Sequence, residues 1–143
     1  MNRLLALPFI AMLAFSSTAG ADSERILVVV NQTNTTDSMT RSEVIDIFMG
    51  RYNAFPSGEA AVPIELKGDG ETKEIFYKQL VGMSLSRINT YWSRLRFSGR
   101  KRGSVQFQSQ NELVDYVTSD PSAISYIAPS ELRDGMKVVY VIE

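Results

Sequence analysis

The sequence predicts an α/β layered fold with a largely parallel or mixed sheet. Three observations carry this. Short apolar, β-branched runs recur along the chain: "RILVVV" (Arg25–Val30), "AISYI" (Ala123–Ile127) and "KVVYVI" (Lys137–Ile142). Between them lie segments with apolar residues at helical spacing, several opened by capping signals. Strands alternating with amphipathic helices bury both kinds of apolar surface in layers.

Arg25–Val30 suits a buried strand, and the polar "NQTNTTDS" (Asn31–Ser38) is a loop. Thr40 and Glu43 have capping-box spacing, Val44, Ile45, Phe48 and Met49 give the next helix one apolar face, and Gly50 ends it. "RYNAFPSGEA" reads as a loop with a turn at Pro56–Gly58. Val62, Ile64 and Leu66 alternate as a short strand, and Pro63 points to a sheet edge or a strand start. A glycine-rich turn, "KGDG", then leads to a helix carrying Ile75, Phe76, Leu80 and Met83. Ser84 caps another helix, with Leu85, Ile88, Tyr91, Trp92 and Leu95 inward. The spacing of Tyr91 and Trp92 with Ile88 and Leu95 marks core packing rather than a stacking platform. A brief strand is expected at Val105–Phe107. Ser109 and Glu112 form a second capping-box pattern before Leu113, Val114 and Val117, and Asp120–Pro121 stops that helix. A short turn or helix at Pro129–Asp134 joins the last two strands.

The first 21 residues have an early Arg3, an apolar run from Leu4 to Phe15 and small residues at Ala19, Gly20 and Ala21, the order of a secretory signal peptide cleaved after Ala21. The expected product is one domain, residues 22–143, with no transmembrane segment, exported to the periplasm. Without Arg3, 14 basic residues face 16 acidic ones, a net charge of −2, which is not the balance of a nucleic-acid coat. The chain has no cysteine, so neither a disulfide nor a lipid-bearing cysteine is expected, and the product should be soluble. It has no histidine either. Those absences remove Cys nucleophiles, His bases, His-containing triads and the usual zinc sites. Carboxylates, lysine, tyrosine and serine show no paired arrangement, so a non-enzymatic protein without cofactor or metal is expected.

Four stretches together resemble one lobe of the periplasmic phosphate-binding proteins of ABC transporters, and in particular their small single-lobe relatives. They are "LVVVNQTN", "MTRSEVIDIFMGRYNAFPSGEAAVPIEL", "FYKQLVGMSLSRINTYWSRLRFSGR" and "PSAISYI", spanning roughly Ile26 to Val139. The resemblance implies a single three-layer lobe of the type 2 periplasmic-binding-protein fold, a mixed sheet with helices on both faces. It also implies a small oxyanion ligand, phosphate first, in a setting linked to ABC-transporter uptake. A single lobe encloses less of a ligand than two. An envelope protein or a dimer mate would then supply the missing second wall.

In the family, the turn matching "KGDGETKEIF" reads Asp-Gly-Ser-Gly-Thr and holds phosphate at a helix N-terminus. Asp69 and Gly70 match, Glu71 stands where the serine is lost, and Thr72 is the nearby hydroxyl. One reading is an altered anion site made of Gly70, Glu71, Thr72 and Lys73, since amides at a helix start favour anions. The other is an ordinary strand-to-helix turn with Asp69 or Thr72 as N-cap, and the turn on its own favours this plainer reading. A second candidate is the basic loop, where Arg94, Arg96, Arg100, Lys101 and Arg102 crowd within nine residues. There Arg100, Lys101, Arg102 and Ser104 could clamp a phosphate or carboxylate, meet anionic lipid or an acidic partner, or simply stay solvated. Asn31 and Thr33, directly after the first strand, are a third candidate, because loops at strand carboxyl ends line crevices in such sheets, though a plain soluble connector is the favoured reading of that loop. An exported binding module is the leading reading. An interaction scaffold with a degenerate ligand site is the alternative.

Overall fold

The computed structural model describes residues 25–99 and 104–143. Residues 1–24 and 100–103, with Arg100, Lys101 and Arg102 among them, lie outside these. Strand β1 (Ile26–Asn31) is followed by α1 (Arg41–Phe48), β2 (Val62–Leu66), α2 (Glu71–Leu80), α3 (Leu85–Phe97), β3 (Val105–Phe107), α4 (Gln110–Ser119), β4 (Ala123–Ile127) and β5 (Met136–Ile142). A 3-10 turn at Pro129–Glu131 joins β4 to β5.

The strands form one five-stranded sheet in the order β3-β2-β4-β1-β5. β2 runs parallel to β3 and β4, whereas β1 is antiparallel to both β4 and β5. The sheet is therefore mixed. Successive side chains of a strand point to opposite faces, and here both faces are covered. Ile26, Val28, Val30, Ile124 and Tyr126 pack with α1, α2 and α3, while Leu27, Val29, Ile64, Ala123 and Ile127 pack with Leu113 and Val117 of α4. This is the expected three-layer arrangement.

Local chemistry sets the element ends. Thr40 and Glu43 close a complete capping box on α1, Thr40 Oγ1 accepting the Glu43 amide at 3.2 Å and Glu43 Oε2 accepting the Thr40 amide at 3.1 Å. Ser84 and Ser109 cap α3 and α4. Gly50, just past α1, has φ 73°, and a Cβ there would lie 3.0 Å from the Trp92 ring. Pro63 marks a strand start and not an edge. The Val62 amide bonds Ser122 on the β4 side, so the Pro63 nitrogen faces the β3 side, where pairing begins only at Ile64.

The sheet's two edges are β3, three residues long, and β5. The loop after β1 partly covers β5: Met39 donates its amide to Val139 at 2.9 Å, and the Lys137 ammonium reaches back to the Asn34 carbonyl and Asp37. A short edge and a covered edge both limit strand-to-strand association.

Candidate functional site

A cleft of about 220 Å³ opens beyond the carboxyl end of β2. Its wall is the turn from Leu66 to Lys73, with Glu65 and Tyr126 at the base and Gln110, Leu113 and Glu131 opposite. The turn exists because β2 must hand the chain to α2 over a short span, and Gly68 makes the reversal with φ 84°.

The N-cap of α2 is Gly70, not Asp69 or Thr72, and no side chain caps this helix. The first helical bond is Glu74 N to Gly70 O at 2.9 Å. The first-turn amides, Glu71 to Lys73, stand outside the helix's own ladder and beside the cleft. Among the described residues, α1, α3 and α4 each begin under a Thr or Ser side chain, and α2 alone does not.

Lys73 is buried, and its ammonium donates at 2.7 Å to both the Leu66 and Gly68 carbonyls, which fixes the shape of the turn. Glu71 is exposed and lines the cleft, but makes no hydrogen bond to the turn amides among the described residues. The turn is thus not closed by its own carboxylate. Thr72 is half-buried and also lines the cleft.

Beneath the turn lies a polar cluster that sequence reasoning missed. Glu65 is 1 % exposed. Its Oε1 accepts the Tyr77 hydroxyl and, at 3.4 Å, the Tyr126 hydroxyl, and its Oε2 accepts the Ser104 hydroxyl at 3.3 Å. A buried carboxylate must be satisfied in this way or it would be costly. With Asp69, Glu71 and Glu131, the cleft lining carries four carboxylates beside Lys67 and Lys73.

Gly70, Glu71, Thr72 and Lys73 are therefore brought together at the cleft, and Ser104 joins the cluster beneath it. Asn31 is not there. Because β1 is antiparallel to β4, the carboxyl end of β1 lies at the opposite end of the sheet from the turn after β2. Asn31 has a structural task instead: Nδ2 donates to the Val117 carbonyl of α4 at 2.9 Å, and Oδ1 accepts from the Thr33 amide and hydroxyl. Arg100, Lys101 and Arg102 fall outside the described residues.

The chain has the fold of one lobe of the substrate-binding proteins of phosphate ABC transporters. It is similar to an ABC-type phosphate transport receptor from Vibrio cholerae (TM-score 0.62, 14% identity, 80% of this chain, 44% of that one). It is also similar to a structure with bound phosphate described as a phosphate ABC transporter substrate-binding protein from Clostridium perfringens (TM-score 0.60, 17% identity, 80% and 43%). A third is a protein described as phosphate-binding from Planctomyces limnophilus (TM-score 0.55, 18% identity, 80% and 40%). The chain spans less than half the length of each. No protein-family model matches it, and no curated protein does.

Proposed function

We infer that this chain is an exported, non-enzymatic binding module that holds a small oxyanion, phosphate first, at the start of α2. The observation that carries this reading is the uncapped α2 N-terminus opening on the cleft, with Gly70, Glu71, Thr72 and Lys73 as its wall. Backbone amides and the positive end of the helix dipole favour an anion there. The fold's likeness to phosphate-transport receptors supports the same ligand class and a setting beside an ABC transporter in the periplasm. Cleavage after Ala21 would release residues 22–143 as one domain, and no described helix is long and apolar enough to cross a membrane.

One observation favours a second reading, an interaction scaffold whose ligand site has decayed: four carboxylates share the cleft lining with two lysines. Calorimetric titration of the domain with phosphate separates the two. The binding reading expects saturable heat in the millimolar range or tighter. Glu71→Ser should tighten phosphate binding about three- to tenfold by removing a like charge near the helix start. No heat with phosphate, sulfate or small carboxylates, for either the wild type or Glu71→Ser, would leave the scaffold reading standing.

A further inference from the structure

The charges of this chain are segregated along the sequence. Between Glu74 and Glu112 there is no acidic residue and there are seven basic ones: Lys78, Arg87, Arg94, Arg96, Arg100, Lys101 and Arg102. The rest of residues 22–143 holds seven basic and sixteen acidic residues. Residues 22–143, of net charge −2, thus join a +7 segment to a −9 remainder.

Helix α3 lies in the basic segment. Its inward face is Ile88 and Trp92, both buried. Its outward stripe, at helical spacing, is Arg87, Thr90, Arg94 and Phe97, all exposed. Phe97 is 95 % exposed, far more than any other large apolar residue among those described. The positive charges Arg94 and Arg96 in the last turn suit the helix dipole. The dipole explains neither Arg87 in the first turn nor a phenyl ring held in water among arginines.

We propose that this face of α3 is a docking surface for an anionic lipid bilayer. Arginines gather at a negative surface, and an apolar ring beside them enters the headgroup layer. The shape fits lipid better than protein. Beside the ring, Ser86, Asn89, Ser93 and Arg94 line a shallow, open shelf rather than a deep pocket among the described residues. The strongly acidic remainder is repelled by the same surface, so the molecule would sit with α3 toward the membrane. This surface adjoins the cleft, since Asp69 lines both the cleft and the shelf, yet its binding does not depend on any ligand there.

The test is vesicle co-sedimentation of residues 22–143, the leader being omitted because its apolar run would bind lipid by itself. Every described strand and helix lies within that span. Binding is expected to vesicles of equal parts phosphatidylglycerol and phosphatidylcholine, not to phosphatidylcholine alone, and to weaken as salt rises. Arg87→Gln and Arg94→Gln should each weaken it about fivefold, the worth of one cation near such a surface. Phe97→Ser should weaken it at every salt concentration, including high salt where the charge effect is screened. All three positions are exposed, so circular dichroism and the thermal midpoint should stay unchanged in each variant. Equal binding to neutral and anionic vesicles, no binding to either, or variants that bind like wild type would each overturn the proposal. Salt-sensitive retention on a polyglutamate resin without vesicle binding would also overturn it, and would assign the face to an acidic protein.

Discussion

Glu65 shows how a single residue can be misread from pattern alone. In "VPIEL" it alternates with Val62, Ile64 and Leu66, which places it on the face a two-layer protein would leave in water. A sheet covered on both sides has no such face, and Glu65 ends up under α2 with two phenols and a serine hydroxyl on it. The legible clue was Tyr77, one position from the apolar face of α2 and able to bring a hydroxyl inward. Tyr77→Phe should cost about 1.5–3 kcal/mol in denaturant unfolding, the range for a hydrogen bond to a charged group. Asp120 offers a pH handle of a different kind. Its bonds from the Ser122 hydroxyl and amide hold its carboxyl below the usual carboxylate value. A lowered folded-state pKa gives stability that is present above the unfolded value and lost as pH falls through the folded one. Asp120→Asn should therefore be less stable than wild type at neutral pH, and the gap should close in acid, as followed by thermal melts across pH.

Among the elements, the caps and the inward faces of α1, α3 and α4 follow directly from the sequence, because capping and helical spacing are local chemistry. Phe55 did not. It sits in what reads as a plain loop, yet it is 1 % exposed, pinned by the Phe55–Glu59 backbone bond and the Ala54–Ala60 bridge. Its burial depends on the tertiary meeting of that loop with α1 and α2, which no local pattern encodes. The start of α2 is instead defined by a cap that is missing. Giving it one, Gly70→Ser, should stabilise or leave unchanged the free protein within about 1 kcal/mol while weakening any phosphate titration, because the new hydroxyl competes for the same amides. Chemical denaturation paired with calorimetry measures both. At the other end of the same helix, Arg41 of α1 donates to the Leu80 and Gln79 carbonyls. Arg41→Ala should lower stability by about 1 kcal/mol, read from the denaturation midpoint.

For the whole molecule, the order of elements and the three layers were legible, but strand direction was not. Apolar runs report burial and carry no arrow, and the reversal of β1 removed Asn31 from the site. The same strand has a kinetic side. β1 precedes the other described strands in sequence, yet its partners among them are β4 and β5, the last two in order, and beside it Arg25 meets Glu143 in an ion pair 118 residues apart. The sheet cannot close around β1 until β4 and β5 are present, and such distant contacts fold slowly. Until those two strands arrive, β1 has no described strand to pair with, so the helices and strands between them are laid down before the sheet can form around it.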